Sequence, residues 1–284
     1  MKEPLARKNR FKKIKKKIYI EFLEKRNLKN AGAIHFTSEL EEKEYLESNL
    51  PKRKSFVIPN SFDKEDFKGK EAVSPDVFRR RLGIDSNKKI ILFLGRISWK
   101  KGFDILIPAF SALLEKEPET ILAIVGGDDE GYKKEVQGLI KQNDIKEGAN
   151  VYFTDMLLKE DRIAAYKGSN VFVLPTYSEN FAMTVVEAMS FGLPPIVTDA
   201  TGIAMVIERA GAGIVIKSGD RKREIKELTD KMLVILMDKK KAQEMGEKGK
   251  DLVQKEFSPE SVADQFIKAY NDLIKNHGHK TGGF

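Results

Sequence analysis

Short apolar runs alternate with longer amphipathic stretches along most of the chain, and this alternation becomes regular from Lys88 onward. The apolar runs are rich in β-branched side chains, a pattern typical of strands buried on both faces of a parallel sheet. We predict strands at Ile90–Leu94, Ile121–Val125, Val151–Phe153, Val171–Leu174, Pro195–Thr198 and Gly213–Ile216. Helices are predicted near residues 103–116, 131–142, 160–168, 182–191, 203–209, 222–237, 239–255 and 259–275. The pattern therefore predicts an α/β fold with a doubly wound, Rossmann-like parallel sheet.

The first 64 residues follow a different pattern. Residues 5–28 predict a basic amphipathic helix, in which apolar side chains recur every three or four positions, at Phe11, Ile14, Ile18 and Phe22. Two short apolar runs near residues 33–36 and 55–58 predict strands on either side of an acidic helix. These elements are too few for an independent core. We predict three parts, namely an incomplete N-terminal lobe (1–64), a Rossmann-like domain (86–257), and a C-terminal helix and tail (258–284).

Composition excludes several kinds of chemistry. The chain has no cysteine, which rules out disulfides and thiolate catalysis, and its three histidines do not form a metal-binding pattern. No stretch approaches the ~18 uninterrupted apolar residues of a membrane span, and the first residues lack the apolar stretch of a signal peptide. We therefore expect a cytoplasmic protein.

The positive charge is concentrated at one end of the chain. Residues 1–29 hold twelve Lys or Arg against three Glu, whereas the whole chain carries a net charge of +8. The remainder is close to neutral and contains no recognisable module of basic and aromatic residues, so nucleic acid is not an expected partner. Two interpretations of the basic helix stay open. It packs against a domain of protein, or it docks at the anionic inner face of a membrane.

The turn after the first predicted strand of the sheet has the features of an anion site. It runs from Gly95 to Gly102, carries Arg96 and Lys101, and leads into a helix at Phe103. Amides at a helix N-terminus and fixed cations together suit a diphosphate. A basic turn that merely connects a strand to a helix would have a similar composition, and the turn matches neither a dinucleotide fingerprint nor a Walker A motif.

Two carboxylates follow the fourth predicted strand of the sheet. Glu179 lies in the loop, and Glu187 lies about two turns into the next predicted helix. Because helical side chains lean toward the N-terminus, both carboxylates are expected to line one ligand, where they would accept hydrogen bonds from sugar hydroxyls. The amides of Asn180, Phe181 and Ala182 at the helix start suit anionic oxygen. A capping glutamate and an ordinary surface glutamate would give the same spacing.

The combination of these motifs resembles the group 1 glycosyltransferase family, also numbered family 4, which has the GT-B fold. The matching features are Gly95-Arg96, Lys101-Gly102, and the pair Glu179 and Glu187 with seven residues between them. Their order and spacing agree with the donor-binding, C-terminal domain of that family across residues 88–275.

The resemblance implies a role for each of these residues. Gly95, Arg96 and Lys101 would hold the diphosphate of a UDP- or GDP-sugar, and Glu187 would accept from the ribose. Glu179 would accept from hydroxyls of the donor sugar, and the amides of residues 180–182 would contact the sugar and the phosphate. The implied reaction is a retaining transfer of a hexose to a glycan or lipid-linked acceptor, with no metal or other cofactor required.

The upstream segment resembles the end of the family's acceptor domain, so most of that domain is expected to be absent from these residues. The chain would then need a separately encoded N-terminal half, or would be a fragment of a longer protein. A non-catalytic nucleotide-sugar-binding module, or a truncated remnant, is the alternative from a different functional class.

Overall fold

The computed structural model describes Lys15 and residues 19–64, 73–85, 87–128 and 131–278. It divides into two compact units, one formed by Met1–Ile58 with Asp264–Phe284 and the other by Pro59–Ala263. These limits differ from the predicted boundaries at residues 64 and 258, because the end of the last helix clusters with the N-terminal segment. The strands are β1 (Ile34–Phe36), β2 (Ser55–Val57), β3 (Lys89–Leu94), β4 (Thr120–Val125), β5 (Val151–Thr154), β6 (Val171–Leu174), β7 (Pro195–Thr198) and β8 (Ile214–Ile216).

Eleven α-helices of the described residues are numbered in sequence order. They are α1 (Lys25–Asn30), α2 (Glu39–Glu47), α3 (Asp76–Leu82), α4 (Phe103–Leu114), α5 (Lys133–Gln142), α6 (Lys159–Gly168), α7 (Met183–Ser190), α8 (Ala204–Ala210), α9 (Arg221–Met237), α10 (Lys239–Glu256) and α11 (Pro259–Gly278). None of the helices in the described ranges is long and apolar enough to cross a membrane.

The first unit is built on the parallel pair β1 and β2, with α2 as the crossover between them. Ser38 caps α2 by accepting a hydrogen bond from the Glu41 amide at 3.2 Å. The ring of His35 stacks on Phe56, with centroids 5.5 Å apart, and meets the edge of Phe266 on α11 at 5.0 Å. The imidazole of His35 is therefore a packing element of this small unit.

The basic N-terminal helix is described only in part. The predicted apolar positions Phe11, Ile14 and Ile18 lie outside the described residues. The described segment is not one regular α-helix, since Ile20–Glu24 is π-helical and lies between the α-helical Tyr19 and α1. Phe22 is 71% exposed, so this member of the predicted stripe is not buried.

The second unit is a six-stranded parallel sheet with the order β5-β4-β3-β6-β7-β8. This order confirms the predicted doubly wound α/β fold, since the chain winds outward first on one side of β3 and then on the other. Strands β4 and β6 are buried at every position, as expected for strands covered by helices on both faces. The order reverses between β3 and β6, and ligands bind at such a point in open α/β sheets, outside the carboxyl ends of the strands.

Helix α3 was not predicted. Its side chain Phe78 is fully buried, and the Arg79 guanidinium donates to the carbonyl oxygens of Lys88 at 2.8 Å and Gly168 at 3.3 Å. These bonds tie α3 to the start of β3 and the end of α6. With seven residues, the helix is too short for its apolar period to stand out from the sequence.

Candidate functional site

The loops that follow β3 and β6 touch each other at the point where the strand order reverses. Gly102 adopts a left-handed conformation with φ +68°, and a Cβ atom there would lie 1.9 Å from the carbonyl oxygen of Pro175. The Thr176 hydroxyl and the Tyr177 amide each donate to the Lys100 carbonyl oxygen at 2.8 Å. We call the combination of these two loops (95–102 and 175–182) with Glu187 the switch-point site.

A second close approach fixes the beginning of the loop after β3. The Gly95 amide donates to the Val125 carbonyl at 2.9 Å, and the Ile97 amide donates to the Gly127 carbonyl at 2.9 Å. A Cβ atom on Gly126 would lie 2.0 Å from the Gly95 carbonyl oxygen. Only glycine fits at that distance, so the glycine turn after β4 supports the backbone of the cationic loop.

The structure brings Lys101 and Glu179 together although they lie 78 positions apart in the sequence. The Lys101 ammonium forms an ion pair with the Glu179 carboxylate, and the two side chains are 17% and 25% exposed. Arg96 lies on the same loop as Lys101 and is exposed. A cation and a carboxylate, supplied by different loops, therefore meet at the carboxyl ends of the two central strands.

The Glu179 backbone is held in place by the loop after β7. Its amide donates to the Ala200 carbonyl at 3.1 Å, and its carbonyl accepts from the Gly202 amide at 2.8 Å. The Thr198 hydroxyl donates to the Thr176 carbonyl at 2.6 Å, which ties the same two loops together closer to the sheet. These bonds leave the Glu179 side chain as the part of the residue that can contact a ligand.

Helix α7 begins at Met183, and Ala182 caps it in the left-handed conformation with φ 73°. This conformation costs a residue with a Cβ atom about 1–2 kcal/mol, whereas glycine adopts it freely. Asn180 is exposed, whereas the Phe181 ring is buried and meets the edge of Phe257 with centroids 5.6 Å apart. The packed ring and the left-handed cap fix the direction in which the chain enters α7.

Glu187 lies on α7, and two side chains of α6 hold its carboxylate. The Tyr166 hydroxyl donates to Glu187 Oε2 at 2.8 Å, and Arg162 Nε lies 3.4 Å from the same oxygen. Burial raises the pKa of Tyr166 well above its ordinary value, and the neighbouring carboxylate raises it further. Tyr166 therefore stays protonated and remains a donor to Glu187 at physiological pH.

A cavity of about 440 Å³ opens beside Glu187. Its wall is completed by the loop after β5 and by the first residues of the second unit. Its lining includes Phe62, Asp63, Leu157, Arg162, Met183 and Glu187. Its volume falls within the ~300–1,000 Å³ range of small-molecule sites. Glu187 is thus placed at the wall of a cavity, while Glu179 contacts Lys101.

Sequence reasoning missed the residues that position the site. Arg162 and Tyr166 are four residues apart on α6, so the spacing of an arginine and a tyrosine on one predicted helix was the available signal. A second missed contact joins the Tyr177 hydroxyl to Asp104 Oδ2 at 2.7 Å, with Arg221 Nη1 3.6 Å from the same carboxylate oxygen. Burial, assisted by the bond to Asp104, raises the pKa of Tyr177.

Comparison with known proteins finds relatives that match more than half of the chain. The chain is 32% identical to mannosylfructose-phosphate synthase of Agrobacterium fabrum over 165 residues, which cover 56% of the chain and 35% of that protein. It is 27% identical to the capsular polysaccharide biosynthesis glycosyltransferase CapM of Staphylococcus aureus over 192 residues, covering 66% of the chain and 47% of CapM. The chain therefore spans between a third and a half of the lengths of these two relatives.

A solved structure shows the same fold. HepE from Anabaena, crystallised in complex with UDP-glucose, superposes with a TM-score of 0.74 and 19% identity, covering 87% of this chain and 65% of HepE. The family profile described as glycosyl transferases group 1 matches residues 75–252, more than half of the chain, and includes all the residues of the switch-point site. The resemblance inferred from the motifs is confirmed, and the chain belongs to the group 1 family of glycosyl transferases.

Proposed function

We propose that the chain binds a UDP- or GDP-linked sugar at the switch-point site and supplies the donor-binding part of a retaining hexosyltransferase. The contact between Lys101 and Glu179 carries this proposal. It places a cation suited to a diphosphate directly beside a carboxylate suited to sugar hydroxyls. Both side chains lie at the sheet edge where ligands of doubly wound folds bind.

The diphosphate is assigned to the loop after β3. Lys101 and Arg96 supply positive charge, the first-turn amides of α4 point toward the same edge, and Gly95 carries no side chain that would block approach. When the bond between the anomeric carbon and the diphosphate oxygen breaks, negative charge accumulates on the leaving diphosphate. Fixed cations stabilise that charge without reorganising, which is the main way such a site lowers the barrier.

The nucleoside and the sugar are assigned to the two carboxylates. Glu187 accepts from ribose hydroxyls at the wall of the 440 Å³ cavity, which then receives the base. Glu179 and the amides of Asn180, Phe181 and Ala182 contact the donor sugar. The UDP-glucose bound by HepE supports this class of ligand through the shared fold.

The acceptor is assigned to a glycan or a lipid-linked sugar, bound with the help of polypeptide outside these residues. CapM, whose name places it in capsular polysaccharide biosynthesis, supports a glycan product, and this chain spans 47% of its length. The first unit offers a surface on which this additional polypeptide could pack. Its two-stranded sheet is small, and apolar side chains of α11 are exposed at Ile267, Tyr270 and Ile274.

The two carboxylates should differ in what they recognise. Glu187→Gln is expected to weaken the binding of both a nucleoside diphosphate and its sugar conjugate about 2- to 10-fold, the ~0.5–1.5 kcal/mol scale of one hydrogen bond. Glu179→Gln should weaken the binding of the sugar conjugate by a similar factor and leave the binding of the nucleoside diphosphate unchanged. Glutamine keeps an acceptor for Tyr166, so the substitution at position 187 removes charge without leaving the buried hydroxyl unpaired.

Calorimetric titration of both variants with UDP, GDP, UDP-glucose and GDP-mannose measures this difference. Glu208→Gln, on α8 and exposed, is the matched control and should bind as the unmodified chain does. Equal losses for nucleotide and sugar conjugate in Glu179→Gln would refute the assignment of that residue to the sugar.

A further inference from the structure

A second cavity, of about 510 Å³, lies at the opposite edge of the six-stranded sheet. Its lining includes residues at the beginning of three strands, namely Lys88 just before β3, Lys89 as the first residue of β3, Asn170 just before β6 and Pro194 just before β7. These are the amino ends of parallel strands, whereas the switch-point site is at the carboxyl ends. We call this space the amino-end cavity.

The amino-end cavity has a basic rim. Its lining contains the cations Arg79, Lys88, Lys89, Lys167 and Lys239, and among the residues described as lining it there is no Asp or Glu. Lys88 and Lys89 pair with carboxylates of Glu119 and Glu117 just outside the lining, each at 2.8 Å. Arg79 instead donates to carbonyl oxygens of Asp85, Lys88 and Gly168, and within the described part of the chain no carboxylate pairs with it. The rim therefore favours an anion.

The rest of the lining combines aromatic and aliphatic side chains with the polar side chains of Asn87, Ser169, Asn170 and Gln243. The rings of Tyr166 and Phe191 stack with centroids 5.7 Å apart and an interplanar angle of 13°, and Leu193, Ile235 and Leu236 also contribute. A space lined by both cations and apolar side chains fits a small molecule that carries an anionic group and an apolar group. Its volume is within the range of small-molecule sites.

Tyr166 connects this cavity to the switch-point site. Its ring lines the amino-end cavity, while its hydroxyl donates to Glu187 at 2.8 Å. Because Tyr166 is only 1% exposed, a ligand would pack against Phe191, which stacks on the Tyr166 ring. Through this stack it would hold the Tyr166 hydroxyl, and with it the Glu187 carboxylate, in position.

We infer that the amino-end cavity binds a small organic anion, consisting of an apolar or aromatic group with a phosphate or carboxylate. Its occupancy strengthens nucleotide binding through Tyr166. The first part stands on the cavity alone, and the second rests on the proposed function, because it assumes that Glu187 contacts the nucleotide.

Phenyl phosphate is the probe for the cavity, and its binding is measured by calorimetry at low salt without nucleotide. We expect saturable binding that Lys239→Glu weakens at least fivefold. Lys240→Glu, the adjacent exposed lysine outside the lining, should change the affinity less than twofold, and Lys101→Ala should not weaken it. Benzyl alcohol, which lacks the charge, should bind far more weakly. No saturable binding, or equal losses in Lys239→Glu and Lys240→Glu, would overturn the site.

The connection to Glu187 is tested by titrating UDP and GDP with and without saturating phenyl phosphate. Whichever of UDP and GDP binds to the chain should have at least threefold higher affinity when phenyl phosphate is present. By linkage, the affinity for phenyl phosphate should rise by the same factor when that nucleotide is present. Tyr166→Phe should still bind phenyl phosphate but lose this gain. An unchanged gain in Tyr166→Phe, or no gain in the unmodified chain, would overturn the coupling. Absence of any nucleotide binding would contradict the proposed function, while the phenyl phosphate titration would still decide the cavity.

Discussion

Replacing Gly102 with alanine is expected to destabilise the fold by about 2–4 kcal/mol. The new Cβ atom would lie 1.9 Å from the Pro175 carbonyl oxygen, so the backbones of the two loops must move apart. The left-handed conformation adds about 1–2 kcal/mol, partly offset by the lower entropy of alanine in the unfolded chain. Overpacking typically adds another ~1–3 kcal/mol.

Gly83→Ala separates these two contributions. Gly83 has nearly the same backbone angle, φ +65°, but no atom lies within 4 Å of the position of its Cβ. This variant should therefore lose only about 1 kcal/mol. Urea unfolding of both variants measures the difference, and comparable midpoints would show that the loops after β3 and β6 are not in close contact.

Lys101→Ala is expected to weaken nucleoside diphosphate binding by about 1.5–3 kcal/mol, or roughly 10- to 150-fold, the scale of a hydrogen bond to a charged group. The loss is large because Lys101 is only 17% exposed and lies beside the carboxylate that is assigned to the sugar. The fold itself should be little affected, since a partly exposed ion pair contributes only about 0–1 kcal/mol to stability.

Lys100→Ala provides a matched control for the loss of one positive charge from the same loop. Lys100 is exposed, and its ammonium lies over the ring of Trp99, 5.9 Å from the centroid. Calorimetric titration should show nearly unchanged affinity in this variant. If Lys100→Ala and Lys101→Ala lost the same affinity, the effect would be general charge attraction and the assigned contact would be wrong.

The sequence predicted the sheet well because its strands are buried on both faces. Continuous apolar runs such as Val171–Leu174 stand out between amphipathic helices, and the strand was found at those residues. The sequence also indicated that the loops after β3 and β6 lie at the same end of the sheet, since parallel strands place their carboxyl ends together. That these two loops touch depends on the strand order, which only the structure shows.

Contacts between distant side chains could not be predicted. Nothing in the spacing indicates that Glu187 accepts from Tyr166, because that bond depends on how α6 packs against α7. The left-handed conformation of Ala182 could not be predicted either. Alanine ordinarily favours the right-handed α-helix, and here tertiary packing overrides that preference. The amino-end cavity arises from elements that lie far apart in the chain, so no local motif marks it.

The central claim, that the switch-point site binds a nucleoside-diphosphate sugar, is tested most directly by the fluorescence of Trp99. It is the single tryptophan of the chain, 45% exposed on the loop that is assigned to the diphosphate. Titration of the unmodified chain with UDP-glucose, GDP-mannose, UDP and GDP is expected to give a saturable change with at least one nucleotide and its sugar conjugate. The corresponding nucleoside monophosphate should bind much more weakly. No saturable change with any of these ligands, matched by no heat in calorimetry, would contradict the account.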